Sequence, residues 1–211
     1  IQWGLGVDGT GDPPRIASEI RRLGDPDVIC LQEVTSGFDN ARANDGRDQF
    51  AFFAKAFPEY AAISAPALDV AHARGGRKLF GNLVLSRLPV GPVHRHELPW
   101  LTVPGRECMP RGLVSVTIAT PAGALRIMTT HLEYSSPVLR AAQIEAIRAF
   151  HRQCCQRVAT PPKPGKGSYT PQIETTSAIL VGDFNMPPDE PNRQRLMDPH
   201  SESGISTFRD A

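Results

Sequence analysis

Apolar positions along the chain follow two rhythms, and together they predict an alternation of helices and strands. From Asp12 to Gly24, Ile16, Ile20 and Leu23 fall on one helical face. Asp12 suits the N-cap, Pro13 the first turn and Gly24 the stop. A second helix is predicted over Gln49 to Phe57, ended by Pro58. The longest candidate runs from Pro137 to Val158, with Leu139, Ile144, Ile147 and Phe150 in phase, and a short one covers Asp189 to Met197. Between them lie continuous apolar runs at Asp27–Gln32, Gly81–Ser86 and Ala178–Val181, which predict strands, the first and last of them buried. Leu113–Ala119 and Leu125–Thr130 flank Pro121-Ala122-Gly123-Ala124 and predict a hairpin. The Pro- and Gly-rich stretch Thr160 to Gln172 reads as a surface loop within one domain. Interleaved strands and helices with a hairpin among them point to a mixed sheet covered by helices.

Composition narrows the class. The 211 residues, 40% of them hydrophobic, suffice for one domain with a sizeable core. Heptads, G-X-Y repeats and a large net charge are absent, which excludes coiled-coil, collagen-like and disordered classes. No apolar run approaches the roughly 20 residues that a membrane span needs. With 23 Lys and Arg against 22 Asp and Glu, the net charge of +1 makes no general electrostatic case for nucleic-acid binding. Cys30, Cys108, Cys154 and Cys155 show no CxxC spacing. They predict neither a disulfide framework nor a zinc site, and they favour a reducing, cytoplasmic setting.

Several motifs fail on context. Gly4-Leu5-Gly6-Val7-Asp8-Gly9 matches GxGxxG but has no strand before it, and its helix starts too late. Gly165-Lys166-Gly167-Ser168 lacks the spacing of a phosphate loop, and no GxSxG elbow exists. His94 and His96 alternate in a strand-like stretch without further ligands and read as solvent-facing. Arg140, Arg148, Arg152 and Arg157 read as a solvated helix face.

What remains is a set of polar residues that follow apolar strands. Val28-Ile29-Cys30-Leu31 runs into Gln32-Glu33, Ile127-Met128-Thr129-Thr130 into His131, and Ile179-Leu180-Val181 into Gly182-Asp183-Phe184-Asn185. Strand ends converge side chains on one cleft. A hard divalent cation takes carboxylate oxygens, a second carboxylate can orient water, and His and Asn can donate to phosphoryl oxygens. Taken singly, Glu33 is also compatible with a solvated position, His131 with a structural histidine, and Asp183 and Asn185 with a turn cap.

The phrases PDVICLQEV, GNLVLSRLPV, MTTHLEY and ILVGDFN, in this order, resemble the endonuclease/exonuclease/phosphatase (DNase I-like) superfamily over essentially the whole chain. The resemblance implies an α/β fold, a four-layer α/β sandwich of two mixed sheets flanked by helices, formed as a single domain over residues 1–211. It implies a hydrolase of phosphate esters that uses Mg2+ or Mn2+, acting as a monomer on nucleic acid, a phospholipid headgroup or a small phosphate ester. Carried over by motif, Glu33 is the metal ligand and Asp183 positions the attacking water. Asn185 orients that aspartate and touches phosphate, and His131 donates to the phosphoryl oxygens. Asn82 and Arg111 are weaker carry-overs as phosphate contacts, and a surface arginine is the alternative for Arg111. The family's first-strand Asn would fall just before Ile1 and its late Asp-His pair after Ala211, so the domain reads as incomplete at both termini. An inactive binding or regulatory module on the same fold is the competing expectation.

Overall fold

The computed structural model describes residues 1–39, 45–201 and 204–211. Among the described residues, four α-helices, α1 (Pro13–Arg22), α2 (Gln49–Ala56), α3 (Pro137–Ala159) and α4 (Pro191–Met197), surround seven strands. The strands are β1 (Val28–Ser36), β2 (Ala61–Ala71), β3 (Arg77–Ser86), β4 (Val90–Glu97), β5 (Gly112–Thr120), β6 (Gly123–His131) and β7 (Ala178–Asp183). They form a three-stranded sheet ordered β1-β3-β2 and a four-stranded sheet ordered β4-β5-β6-β7.

Connection length sets strand direction. The short links β2–β3 and β5–β6 force antiparallel pairs, whereas the long helical crossover through α3 allows β7 to lie parallel to β6. Among the described residues the first sheet is therefore antiparallel throughout, and only the second is mixed. Alternation along the strands then sorts the core into three layers of contact. Leu83 and Leu85 of β3 join Ile29, Leu31 and Val34 of β1 under Phe50, Phe53 and Ala17 of α2 and α1. Val84 turns the other way and meets Val114, Val116, Ile118 and Ile127 between the sheets. Leu113 and Met128 face Ile144, Ile147 and Phe150 of α3. The result is the expected order of helix, sheet, sheet, helix.

Helix ends follow the expected chemistry. The Asp12 side chain accepts from the Arg15 amide, and Ser136 and Asp48 do the same for α3 and α2. Leu23 departs from expectation: it caps α1 instead of extending its buried face and is exposed. Three further expectations change. The α3 arginines are not a solvated face, because α3 lies beneath α4 and the loops beside it. Arg140 and Arg148 are buried and donate to the carbonyls of Glu133, Tyr134, Leu196 and Asp198. His94 and His96 are not solvent-facing, since α3 covers β4 and places the Phe150 ring 5.8 and 4.2 Å from theirs. Burial pushes both imidazoles below their ordinary pKa. Finally, β7 is not a buried strand. It pairs only with β6 among the described residues and leaves Ile179 exposed. No helix among the described residues is long and apolar enough to cross a membrane.

Candidate active site

A β-bulge aims the first carboxylate. Leu31 pairs with Leu83 and Val34 with Gly81, so three steps along β1 match two along β3. Leu31 and Val34 both stay in the helix-side core, and the extra residue is absorbed between them. Glu33 takes up the irregularity with φ 60, a left-handed conformation rare for a residue with a side chain. Glu33 thus lies within β1, at its bulge, and not at the strand's end as the apolar run had suggested.

The second sheet supplies the partners. His131 and Asp183 are the last residues of β6 and β7 and stand opposite each other in parallel register. Gly182 makes this possible: its φ is 141, and a Cβ there would lie 2.0 Å from the Thr130 carbonyl oxygen. Gln32 Nε2 donates to Thr129 Oγ1 at 2.9 Å and Asn82 Nδ2 to the Gly112 carbonyl at 3.1 Å, which stitches the two sheets together beside the cleft.

Three side chains meet there. Glu33, His131 and Asp183 each present one ligand atom within 4.8 Å of the others. His131 Nε2 lies 3.8 Å from both Glu33 Oε1 and Asp183 Oδ2, too far for hydrogen bonds. The imidazole is 7% exposed, the Glu33 side chain 22% and the Asp183 side chain 49%, so the group has a closed floor and an open mouth. Burial, and then the nearby Arg111 cation, holds His131 well below its ordinary pKa, leaving a neutral ring at neutral pH. Asp183 is held through its other oxygen: the Asn185 amide donates to Oδ1 at 2.9 Å, while Asn185 Nδ2 donates to the Leu132 carbonyl. The backbone of Asn185, itself at φ 49, therefore orients Asp183, and its side chain fastens the turn.

Arg111 is not a surface residue. It is 5% exposed, directly before β5, with its Nε 3.8 Å from Glu133 Oε2. Asn82 is also buried. Asn82 Oδ1, Arg111 Nε and Nη1, His131 Nδ1 and Glu133 Oε2 have no hydrogen-bond partner among the described residues. Buried polar atoms are rarely left so, and a cluster of them marks a place shaped for a guest. Two hard carboxylates and an imidazole around one gap fit a magnesium or manganese ion, which takes few protein carboxylates. The unfilled donors of Arg111 fit an anion.

Sequence reasoning missed Glu133, Gln32 and Gly182 as parts of this site, although each lies within two residues of a residue it named. A cavity of about 720 Å3 lies elsewhere, between the open edge of β7, α4 and residues 206–211, and touches neither Glu33 nor His131.

A family model described as the Endonuclease/Exonuclease/phosphatase family matches residues 3–207. Among solved structures, the human Nocturnin catalytic domain with bound sulfate anion is 20% identical, with a TM-score of 0.57, covering 90% of this chain and 61% of that one. The endonuclease/exonuclease/phosphatase from Bacteroides vulgatus is 17% identical, with a TM-score of 0.56 and coverage of 88% and 61%. Sphingomyelinase C from Streptomyces griseocarneus is 17% identical, with a TM-score of 0.54 and coverage of 91% and 61%. At these identities the likeness is one of fold, and the chain spans about three fifths of each structure's length. No curated protein matches the chain.

Proposed function

The chain belongs to the endonuclease/exonuclease/phosphatase family, and we propose that it hydrolyses phosphate esters with a divalent cation, Mg2+ or Mn2+, at the cleft of Glu33, His131 and Asp183. Residues 1–211 are read as part of one such domain. The observation that carries this reading is the convergence of two carboxylates and a neutral imidazole, drawn from both sheets, within 4.8 Å.

Glu33 is the residue that would hold the cation. Bound there, the ion would supply positive charge against the phosphoryl group and the leaving oxygen. Asp183, pinned through Oδ1, keeps Oδ2 free to orient a water for in-line attack and to accept its proton. His131 is neutral and buried, and the tautomer with its proton on Nε2 would donate to an oxygen on which charge grows. Arg111 and Asn82 supply further contacts to the non-bridging oxygens. All of these groups come from one chain, so the chemistry needs no second copy. The four cysteines are free thiols, which suits a reducing, cytoplasmic setting as part of the same proposal.

The test is hydrolysis of an aryl phosphodiester and an aryl phosphomonoester with Mg2+, with Mn2+ and in excess chelator. Turnover should vanish with chelator and fall on the order of 10²-fold or more in Asp183→Asn. Undiminished turnover in either case contradicts the mechanism. Cation binding by a wild-type chain that turns over no ester would point instead to a binding module. Which ester is hydrolysed faster, followed by plasmid DNA, phospholipid vesicles and inositol phosphates, would assign the substrate class.

A further inference from the structure

Arg111 stands among three carboxylates. Those of Glu133, Glu33 and Asp183 attract it in that order, and its burial is otherwise unfavourable to the charge. Only Glu133 is within ion-pair range, at 3.8 Å from Nε, and even this is too long for a hydrogen bond. Glu133 is itself buried, 1% exposed. Its Oε1 accepts from the Ser135 amide at 2.8 Å and its backbone amide donates to Gln143 Oε1 at 2.8 Å. Its carbonyl accepts from Arg140 Nη1 at 2.8 Å, and Arg140 is anchored in turn on Glu190. A rigid buried carboxylate thus faces a guanidinium whose Nε and Nη1 donors are unfilled.

We propose that Glu133 is a positioning residue: its carboxylate holds the Arg111 guanidinium away from Glu33 and Asp183, which leaves Glu33 for the cation, Asp183 for the attacking water and Arg111 for a phosphoryl oxygen. The proposal rests on the reading of the cleft as a phosphoester site. Its logic is competition. Arg111 carries its charge at every accessible pH and must settle against some anion. With Glu133 neutralised, the next attractions are Glu33 and Asp183, and a guanidinium seated there repels the cation that Glu33 should bind.

The test uses the full chain, Mn2+ titrated by electron paramagnetic resonance, and inorganic phosphate titrated calorimetrically with Mn2+ present. Glu133→Gln should weaken Mn2+ and phosphate binding each on the order of tenfold. In an Arg111→Met background the same substitution should change Mn2+ binding by less than about twofold, because Glu133 acts through Arg111. A carboxylate that merely adds negative charge would weaken Mn2+ equally in both backgrounds, and that result overturns the proposal, as does unchanged binding in Glu133→Gln. Glu133→Asp keeps the charge and should return both affinities to within about threefold of wild type. Equal losses in Glu133→Asp and Glu133→Gln overturn the proposal even where Arg111→Met does not fold. Failure of the phosphoester reading looks different: wild type would bind Mn2+ and phosphate yet hydrolyse no ester.

Discussion

The protein buries a histidine and an arginine in two places, and the two pairs are bonded in opposite ways. Beneath α3, His151 uses both ring nitrogens: Nδ1 lies 2.9 Å from Arg126 Nη2, and Nε2 lies 2.9 Å from the Ser206 carbonyl. About three turns earlier on the same helix, Arg140 donates to two carbonyls and grips both oxygens of Glu190. In the cleft, His131 Nδ1 and two Arg111 nitrogens have no hydrogen-bond partner among the described residues, and His131 Nε2 stands 3.8 Å from the Glu33 and Asp183 carboxylates. Both regions bury charge and polarity, so burial alone does not distinguish them. Saturation does. His151 ties α3 to the C-terminal segment and Arg140 ties it to Glu190 before α4, and the side-chain nitrogens of these two residues are spent on the fold, although Arg126 Nε beside His151 has no partner among the described residues. The unsaturated pair has capacity left for a ligand.

This contrast can be broken by substitution. The largest expected effect is on stability: Arg140→Met leaves the Glu190 carboxylate without its charge partner and, among the described residues, with only the Asn192 amide bonded to it, and should cost about 3–5 kcal/mol in denaturant unfolding. A loss under about 1 kcal/mol would mean that saturation is no mark of a structural role.

Next comes His151, whose pKa is pushed down to about 4, first by burial. The folded state disfavours the protonated ring, so the unfolded chain binds more protons between pH 6.5 and 4. Stability from this group is therefore complete above about pH 6.5 and declines as pH falls toward 4, by about 3 kcal/mol. Unfolding curves from pH 7 to 4 should show this decline in wild type and a shallower one in His151→Gln. Equal slopes would contradict it. Smallest in free energy is His131→Asn, which should lower hydrolysis on the order of 10²-fold while leaving the melting temperature within a few degrees of wild type.

Much of this architecture was legible in the chain. The helices declared themselves through local signals, α1 through Asp12 and Pro13, α2 through Pro58 after its end and α3 through the phase of its apolar residues. Strand β2 was not legible, because Ala61–Ala71 carries Pro66 and few large apolar groups and survives as an edge strand with a bulge at that proline. The burial of Arg140 and Arg148 was hidden for a different reason. Their cover is α4 and its flanking loops, some 50 residues away in sequence, and helical periodicity says nothing of such partners. In the cleft, Glu33, His131 and Asp183 could be singled out because each follows an apolar strand. What sequence could not supply was the bulge at Glu33, which depends on the register of β1 against β3. Nor could it supply the closure of Arg111 against Glu133, which depends on two sheets meeting face to face.

The most direct measurement is Mn2+ binding to the wild-type chain and to Glu33→Gln, read as free Mn2+ by electron paramagnetic resonance. The account predicts one saturable site in wild type, weakened on the order of tenfold or more when Glu33 loses its charge. An identical binding curve for the two proteins would contradict a shared cation cleft between the sheets.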